Sequence, residues 1–267
     1  MEKEKNQGNP YIPKKYKIIK KKRMTHDTML LRIAGKFKQN PGQFVEVGVL
    51  GAGECPIGIC SYSDKHIDLC IRKVGNVTKA IHEKKVGEAL WIRGPYGNGY
   101  PMKEIEGKDI VIVGGGTGAA PLVGVLEYIE KNRDKYGKVH AFFGFRSYEN
   151  ILFKDYFSRF KKNFDFEFTL DCPTKMMKCN VGVVTTLIDK AQINQNAVAL
   201  ICGPPIMMKF AVQSLQNKGI REKNIYISFE RLMSCGIGKC GHCELGGKYI
   251  CKHGPVFSYE EAKNMQD

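Results

Sequence analysis

Four cysteines near the C-terminus, Cys235, Cys240, Cys243 and Cys251, are separated by four, two and seven intervening residues in CGIGKCGHCELGGKYIC. A C-x4-C-x2-C run with a fourth cysteine further on is a spacing that holds a 2Fe-2S cluster. Glycines at 236, 238 and 241 permit a tight loop whose backbone N–H groups can face cluster sulfurs. Four thiolates also suit tetrahedral zinc, which would make the chain a non-catalytic scaffold; zinc sites, however, usually arrive as two separated short knuckles. His242 lies inside the loop, but four cysteines already complete a ligand set, so it is expected beside the site or in solvent.

Two glycine-bearing stretches could hold a nucleotide. In VGGGTGAAP, residues Gly115, Gly116, Thr117, Gly118 and Ala119 stand where a strand should give way to a helix. Glycine there lets backbone approach a pyrophosphate, and a helix start supplies N–H donors and a favourable dipole. In CGPPIMM, Cys202, Gly203 and Pro204 end a later strand of the same alternating pattern. Ligands of open α/β sheets bind at the carboxyl ends of strands, so the two loops could face one ligand, with Cys202 near a nicotinamide ring. A third stretch, IRKVGNVTKAI, combines Arg72 and Gly75 with Val77 and Thr78 at the head of a helix. Thr78 is expected as the N-cap, and Arg72 with the helix start as a second pyrophosphate site. A nicotinamide delivers two electrons as hydride and a cluster accepts one at a time. A flavin, FAD or FMN, in that second site would join them. Hydride and electron transfer depend on positioning and cofactor electronics, so no catalytic acid or base is expected.

The rest of the composition narrows the class. The chain has 267 residues and a formal net charge of +15, with basic residues crowding KKYKIIKKKR. That run has little aromatic interleaving and no nucleic-acid-binding signature accompanies it, so it is expected as a strand with a solvated lysine face rather than a nucleic-acid site. No apolar run reaches the ~18 residues of a membrane span. The N-terminus MEKEKNQGNPYIPKK shows no hydrophobic stretch of a secretory leader, so a cytoplasmic protein is expected. Cys55, Cys60, Cys70, Cys172 and Cys179 lack ligand spacing and are expected as buried small hydrophobes.

These residues need elements to position them. Up to about residue 103, short apolar runs such as GQFVEVGVL, IDLCIRKV and ALWIRG alternate with turn signals, which predicts a small antiparallel six-stranded barrel. From about 104 to 229 strands and helices alternate: DIVIVGGG, PLVGVLEYIEKNRD, VHAFFGF, FKDYFSRFKK, FDFEFTLD, VVTTLIDKA, AVALICGP, PIMMKFAVQSLQNKG and NIYISF. That pattern predicts a doubly wound parallel sheet covered on both faces. The segment 230–267 is then a small cluster-bearing tail.

GQFVEV, IDLCIRKVGNVT, WIRGPYGNGYP, GGGTGAAP, GPPIMM and the cysteine-rich tail together resemble the ferredoxin–NADP reductase superfamily, in its branch with a C-terminal 2Fe-2S cluster. That branch includes the electron-transfer subunits of dihydroorotate dehydrogenase, of sulfhydrogenase (its gamma subunit) and of anaerobic sulfite reductase, the last being the most similar in detail. The resemblance implies an FAD-binding barrel, an NADH-binding domain, with NADPH open, and electron delivery to a partner iron–sulfur subunit. A sirohaem subunit would then reduce sulfite; the alternative is the same NAD(P)H-oxidising role serving dihydroorotate dehydrogenase or a (sulf)hydrogenase. The resemblance also implies that Pro56, Ile57, Gly58 and Ile59 lie along the isoalloxazine, that Arg72, Gly75, Val77 and Thr78 hold the flavin pyrophosphate, and that Glu230 approaches the flavin. From its place after the second strand of the α/β half, in GFRSYEN, Arg146 is either a site for a 2′-phosphate or a solvent-facing residue. Relatives commonly carry Arg and Ser where this chain has Cys55 and Gly58, so the strand would act there through its backbone.

Overall fold

A computed structural model describes residues 9–172 and 179–265. The first eight residues, on which the leaderless expectation partly rests, lie outside the described residues. Among the described residues no helix is long and apolar enough to cross a membrane.

The N-terminal sheet has six antiparallel strands in the order β4-β3-β6-β1-β2-β5. They are β1 (Lys14–Arg23), β2 (Thr28–Ala34), β3 (Phe44–Val49), β4 (Gly53–Gly58), β5 (His66–Arg72) and, after helix α1 (Asn76–Glu83), β6 (Ala89–Tyr96). A bridge from Ile59 just past β4 to Leu69 of β5 closes the sheet into the expected barrel. Alternation fills it: Ile18, Leu31, Ile33, Val45, Val47, Leu90 and Ile92 turn inward and are buried. The neighbours of Val45 and Val47 on β3, Phe44 and Glu46, take the opposite face, as a period of two requires.

The second sheet runs β10-β9-β8-β7-β11-β12-β15. Its elements are β7 (Ile110–Gly115), α2 (Ala119–Lys131), β8 (Val139–Phe145), α3 (Lys154–Asn163), β9 (Asp165–Leu170), β10 (Asn180–Val181), α4 (Thr185–Lys190), β11 (Val198–Cys202), α5 (Pro205–Asn217) and β12 (Ile225–Ser228). These strands are parallel. Every residue of β7 is buried, which a strand covered on both faces demands. Ile110 and Ile112 pack with α2 and α3 on one side, Val111 and Val113 with α4 and α5 on the other. The strand order reverses between β7 and β11, and their carboxyl ends are where such a sheet binds ligands.

After Ser228 the chain forms the cysteine loop, then β13 (Glu244–Leu245), β14 (Lys248–Tyr249), α6 (Ile250–His253), β15 (Val256–Ser258) and α7 (Tyr259–Ala262). β15 pairs antiparallel with β12, so the tail adds an edge strand to the nucleotide-domain sheet. Cys243, Leu245, Ile250 and Cys251 share one apolar core with α4, α5 and Phe44 of the barrel.

Two expectations fail. Thr78 is not the N-cap: Gly75 takes that place, and Thr78 is the third helical residue. Its hydroxyl reaches back to accept from the N–H groups of Val74 and Gly75, each at 3.0 Å, so it caps from inside the helix. Of the scattered cysteines only Cys60 is fully buried, and Cys172 is exposed.

Candidate functional site

The two glycine loops meet at the reversal in strand order. A Cβ placed on Gly118 would stand 2.5 Å from the carbonyl carbon and oxygen of Cys202 and from the Cα of Gly203. Only a residue without a side chain lets these backbones approach so closely. Gly115 is likewise closed in by Met207 and by Pro204 at 3.2 Å. The structure thus brings Gly115–Ala119 and Cys202–Pro204 together, above β7 and β11 and at the start of α2. The Cys202 thiol is 1% exposed. Burial, then the nearby Glu230 carboxylate, pushes its pKa up to about 12, against a hydrogen bond with Ser228 that lowers it. It is therefore a neutral thiol near pH 7 and a poor nucleophile. Glu230 lies close enough for that influence, and burial pushes its own carboxyl up. Arg146 is exposed just past β8; burial raises the pKa of Asp171, just past β9, and the charge of Arg146 opposes that rise.

The barrel contributes a second neighbourhood. Val77, in the first turn of α1, lies 3.3 Å from where a Cβ on Gly53 would stand, so the helix start abuts the strand that carries Pro56, Ile57 and Gly58. No acidic residue occupies the first turn of α1, and its first N–H groups are free of intrahelical partners, as at any helix start. Arg72 donates from Nε to Asp27 at 2.7 Å. Although desolvation would raise the Asp27 pKa, that bond and those from Thr25 and Thr28 hold it well below the usual carboxylate range. A helix N-terminus with an anchored arginine and no nearby first-turn acid fits a pyrophosphate. Gly58 faces the nucleotide domain: a Cβ there would lie 3.1 Å from Pro121 at the start of α2. Cys55 and Ile57 pack against the barrel core. Burial, then Glu46 and Glu54, pushes the Cys55 thiol up to about 12. It adds no charge near pH 7 to this strand.

The four C-terminal cysteines form two pairs. Cys235 is within hydrogen-bonding reach of Cys240, and Cys243 of Cys251. Backbone N–H groups of Ile237, Lys239 and Cys240 point at the Cys235 sulfur (3.5, 3.2 and 3.4 Å), that of Gly238 at Cys251 (3.0 Å), and that of Cys251 at Cys243 (3.4 Å). Desolvation opposes ionisation of Cys235, yet these donors win and its pKa falls to about 6. Among the described residues, no three potential ligands converge on one metal position. Paired thiols ringed by N–H donors fit a two-iron cluster, which takes two thiolates per iron. Cys240 is the exposed member, and His242 lies beside it.

Sequence reasoning missed what lies beneath this loop. Arg93 of β6 is 6% exposed, and its guanidinium grips the Glu54 carboxylate of β4 with Nε at 2.9 Å and Nη2. It also donates to the carbonyl of Ser234 at 2.8 Å and to that of Cys235. Glu46 of β3 is 1% exposed, and neither of its carboxylate oxygens has a hydrogen-bond partner. Burial pushes its pKa up to about 7; Arg93 opposes this, while Glu54 and Cys235 add to it. A charged arginine and an unpaired acid on separate barrel strands carry no local motif, which is why spacing did not reveal them.

The oxidoreductase NAD-binding domain matches residues 112–213, and the iron–sulfur cluster binding domain of dihydroorotate dehydrogenase B matches residues 230–263. The chain is 40% identical to sulfhydrogenase 2 subunit gamma of Pyrococcus furiosus, over 95% of this chain and 97% of that protein. It is 34% identical to a probable dihydroorotate dehydrogenase B (NAD(+)) electron transfer subunit of Thermococcus kodakarensis, over 85% and 90% of the two chains. A solved chain of an NADH-dependent reduced ferredoxin–NADP oxidoreductase superposes with a TM-score of 0.77 at 25% identity, covering 92% of this chain and 88% of that one. These relatives favour the hydrogenase and dihydroorotate branches over the expected sulfite reductase subunit.

Proposed function

The chain belongs to the ferredoxin–NADP reductase-like family of electron-transfer subunits that carry a dihydroorotate-dehydrogenase-B-type iron–sulfur domain, and from that we propose that it feeds electrons from NADH to the catalytic subunits of a hydrogenase-type complex. The observation that carries this reading is the 40% identity spanning 97% of a sulfhydrogenase gamma subunit. A dihydroorotate dehydrogenase partner is the second reading, supported by 34% identity over 90% of such a subunit. The sirohaem sulfite reductase partner drawn from sequence detail has no comparable support.

NADH gives up a hydride, and FAD and the 2Fe-2S cluster, when bound, divide that electron pair into single electrons. The residues of this chain bind and orient. The meeting loops Gly115–Ala119 and Cys202–Pro204 offer backbone close enough to clasp a dinucleotide at the end of the parallel sheet. Neutral Cys202 supplies shape without competing chemistry. Backbone of Pro56–Ile59, with the start of α1 and Arg72, would hold the flavin. The N–H groups around Cys235 would hold thiolates in their charged form.

The test is anaerobic purification of the chain with its native partners. Flavin and cluster bands that bleach with NADH, with hydrogen evolved from NADH or NAD reduced by hydrogen, support the reading. Orotate-dependent NADH oxidation would move the chain to the second reading, and sulfite-dependent oxidation would restore the third. A colourless preparation with stoichiometric zinc would overturn all of them.

A further inference from the structure

We propose that Arg93 is a positioning residue for internal electron transfer, tying the cluster-bearing loop to the flavin-side barrel at the backbone of its first ligand. The proposal rests on the loop holding an iron–sulfur cluster. The tie has two ends. On the barrel, Glu54 takes Nε at 2.9 Å and Nη2 of the guanidinium, which fixes its plane. On the loop, Nη2 reaches the Ser234 carbonyl at 2.8 Å and Nη1 the Cys235 carbonyl. One planar fork spans both; a lysine ammonium carries the same charge but cannot grip a carboxylate bidentately and two carbonyls at once.

The surroundings make this contact close. Gly236, the next residue, sits at φ +73°, and a Cβ there would meet Glu46 Oε1 and the Tyr96 ring, each at 3.2 Å. The loop therefore lies flush on the barrel patch formed by Glu46, Arg93 and Tyr96. The downstream end is pinned separately: the Asn98 side chain donates to the carbonyls of His253 at 3.1 Å and Val256 at 2.8 Å. Arg93 thus governs the Ser234–Cys240 stretch, and its loss leaves the tail docked through Asn98 and β15. That stretch is also where three N–H groups converge on the Cys235 sulfur, and hydrogen bonds to sulfur set cluster potential. Removing the arginine takes away a nearby cation and frees those donors. Both changes make the cluster harder to reduce.

The experiment compares Arg93→Gln and Arg93→Lys with the parent chain loaded with flavin and cluster. It reads iron content, the cluster midpoint potential by EPR-monitored titration, and the ratio of cluster to flavin reduction rates after mixing with NADH. Arg93→Gln is expected to keep its iron and to lower the potential by about tenfold in the one-electron equilibrium, about 59 mV. Its rate ratio should fall by at least ~10-fold, as displaced reacting groups do. Arg93→Lys should retain more of the potential than of the rate ratio, because it keeps the charge and loses the fork. Parent-like potential and rate ratio in an iron-replete Arg93→Gln protein overturn the proposal. If that variant does not accumulate, an unchanged rate ratio in Arg93→Lys overturns it equally. A parent chain with no iron–sulfur signal would instead sink the reading on which the proposal stands.

Discussion

Replacing Glu46 by glutamine should flatten the pH dependence of stability. The carboxyl is 1% exposed and has no hydrogen-bond partner on either oxygen. Burial, opposed by Arg93 and reinforced by Glu54 and Cys235, raises its pKa from 4.5 to about 7. Between those values the folded chain holds a proton that the unfolded chain releases, so stability falls as pH rises through the window. The protonated acid is tolerated in the folded state below pH 4.5, and the full penalty for burying the carboxylate is present above pH 7. A displacement of about 2.5 units at about 1.4 kcal/mol each puts that penalty on the order of 3 kcal/mol. An anionic cluster in the adjoining loop pushes the same way, so the direction holds for the loaded protein. Glutamine cannot ionise and keeps its own cost constant with pH. The difference in Tm between Glu46→Gln and the parent should therefore widen between pH 5 and pH 8, by roughly 2–4 °C for each kcal/mol in a chain of this size. Anaerobic scanning fluorimetry at half-unit pH steps measures it. Parallel Tm profiles for the two proteins would refute the argument that Glu46 is a buried, unpaired acid.

Three further outcomes are expected. Gly118→Ala puts a methyl 2.5 Å from the Cys202 and Gly203 backbone, an overpacking that costs about 1–3 kcal/mol or more, so NADH should no longer bleach the protein at concentrations that bleach the parent. Parent-like NADH titration would count against the meeting loops as the dinucleotide site. Thr78→Val removes the acceptor for the Val74 and Gly75 N–H groups; about 1 kcal/mol of stability and part of the retained flavin should go with it, and gel filtration showing undiminished flavin would contradict the placement of the pyrophosphate at α1. Cys240→Ser should strip the cluster absorption while leaving flavin bands that NADH still bleaches. An iron-replete Cys240→Ser protein would exclude Cys240 from the ligand set.

Local pattern accounts for most of the legible fold. VHAFFGF coincides with β8 and KKYKIIKKKR with β1, because continuous burial in the one and lysines crowding a short apolar pair in the other each leave a signature in consecutive residues. The glycine loops were legible for the same reason, since a strand ending in glycines before a helix is a local feature. Thr78 shows where local reading slips: threonine near a helix start can accept from N–H groups either as the cap or from the first turn, and the sequence looks alike in both cases. Arg93, Glu54 and Glu46 were not legible at all. They come from β6, β4 and β3, and they meet the loop at Ser234 only because the barrel closes and the tail folds back onto it. The pairing of β15 with β12 was hidden likewise, since nothing in a three-residue strand names its neighbour.

The way the tail is held bears on how electrons leave. Domains joined by small polar contacts move by default, and a cluster on such a domain could swing out to meet an acceptor. Here Cys243 and Cys251 belong to the same apolar core as Phe44 of the barrel and helices α4 and α5. β15 extends the nucleotide-domain sheet, and Asn98 and Arg93 grip the loop from the barrel at its two ends. Leu30 and Cys60 of the barrel lie in the core on the other face of that sheet. Swinging the loop outward would break an apolar core and take the Ser234 and Cys235 carbonyls from an enclosed arginine that stays paired with Glu54, and buried donors left without acceptors are costly. The geometry therefore favours a fixed relay: the acceptor comes to the loop, and it meets the loop where Cys240 is exposed. A partner that slows hydrogen exchange in the backbone around Cys240 on binding, while leaving hydrogen exchange in β15 unchanged, is what a fixed relay requires.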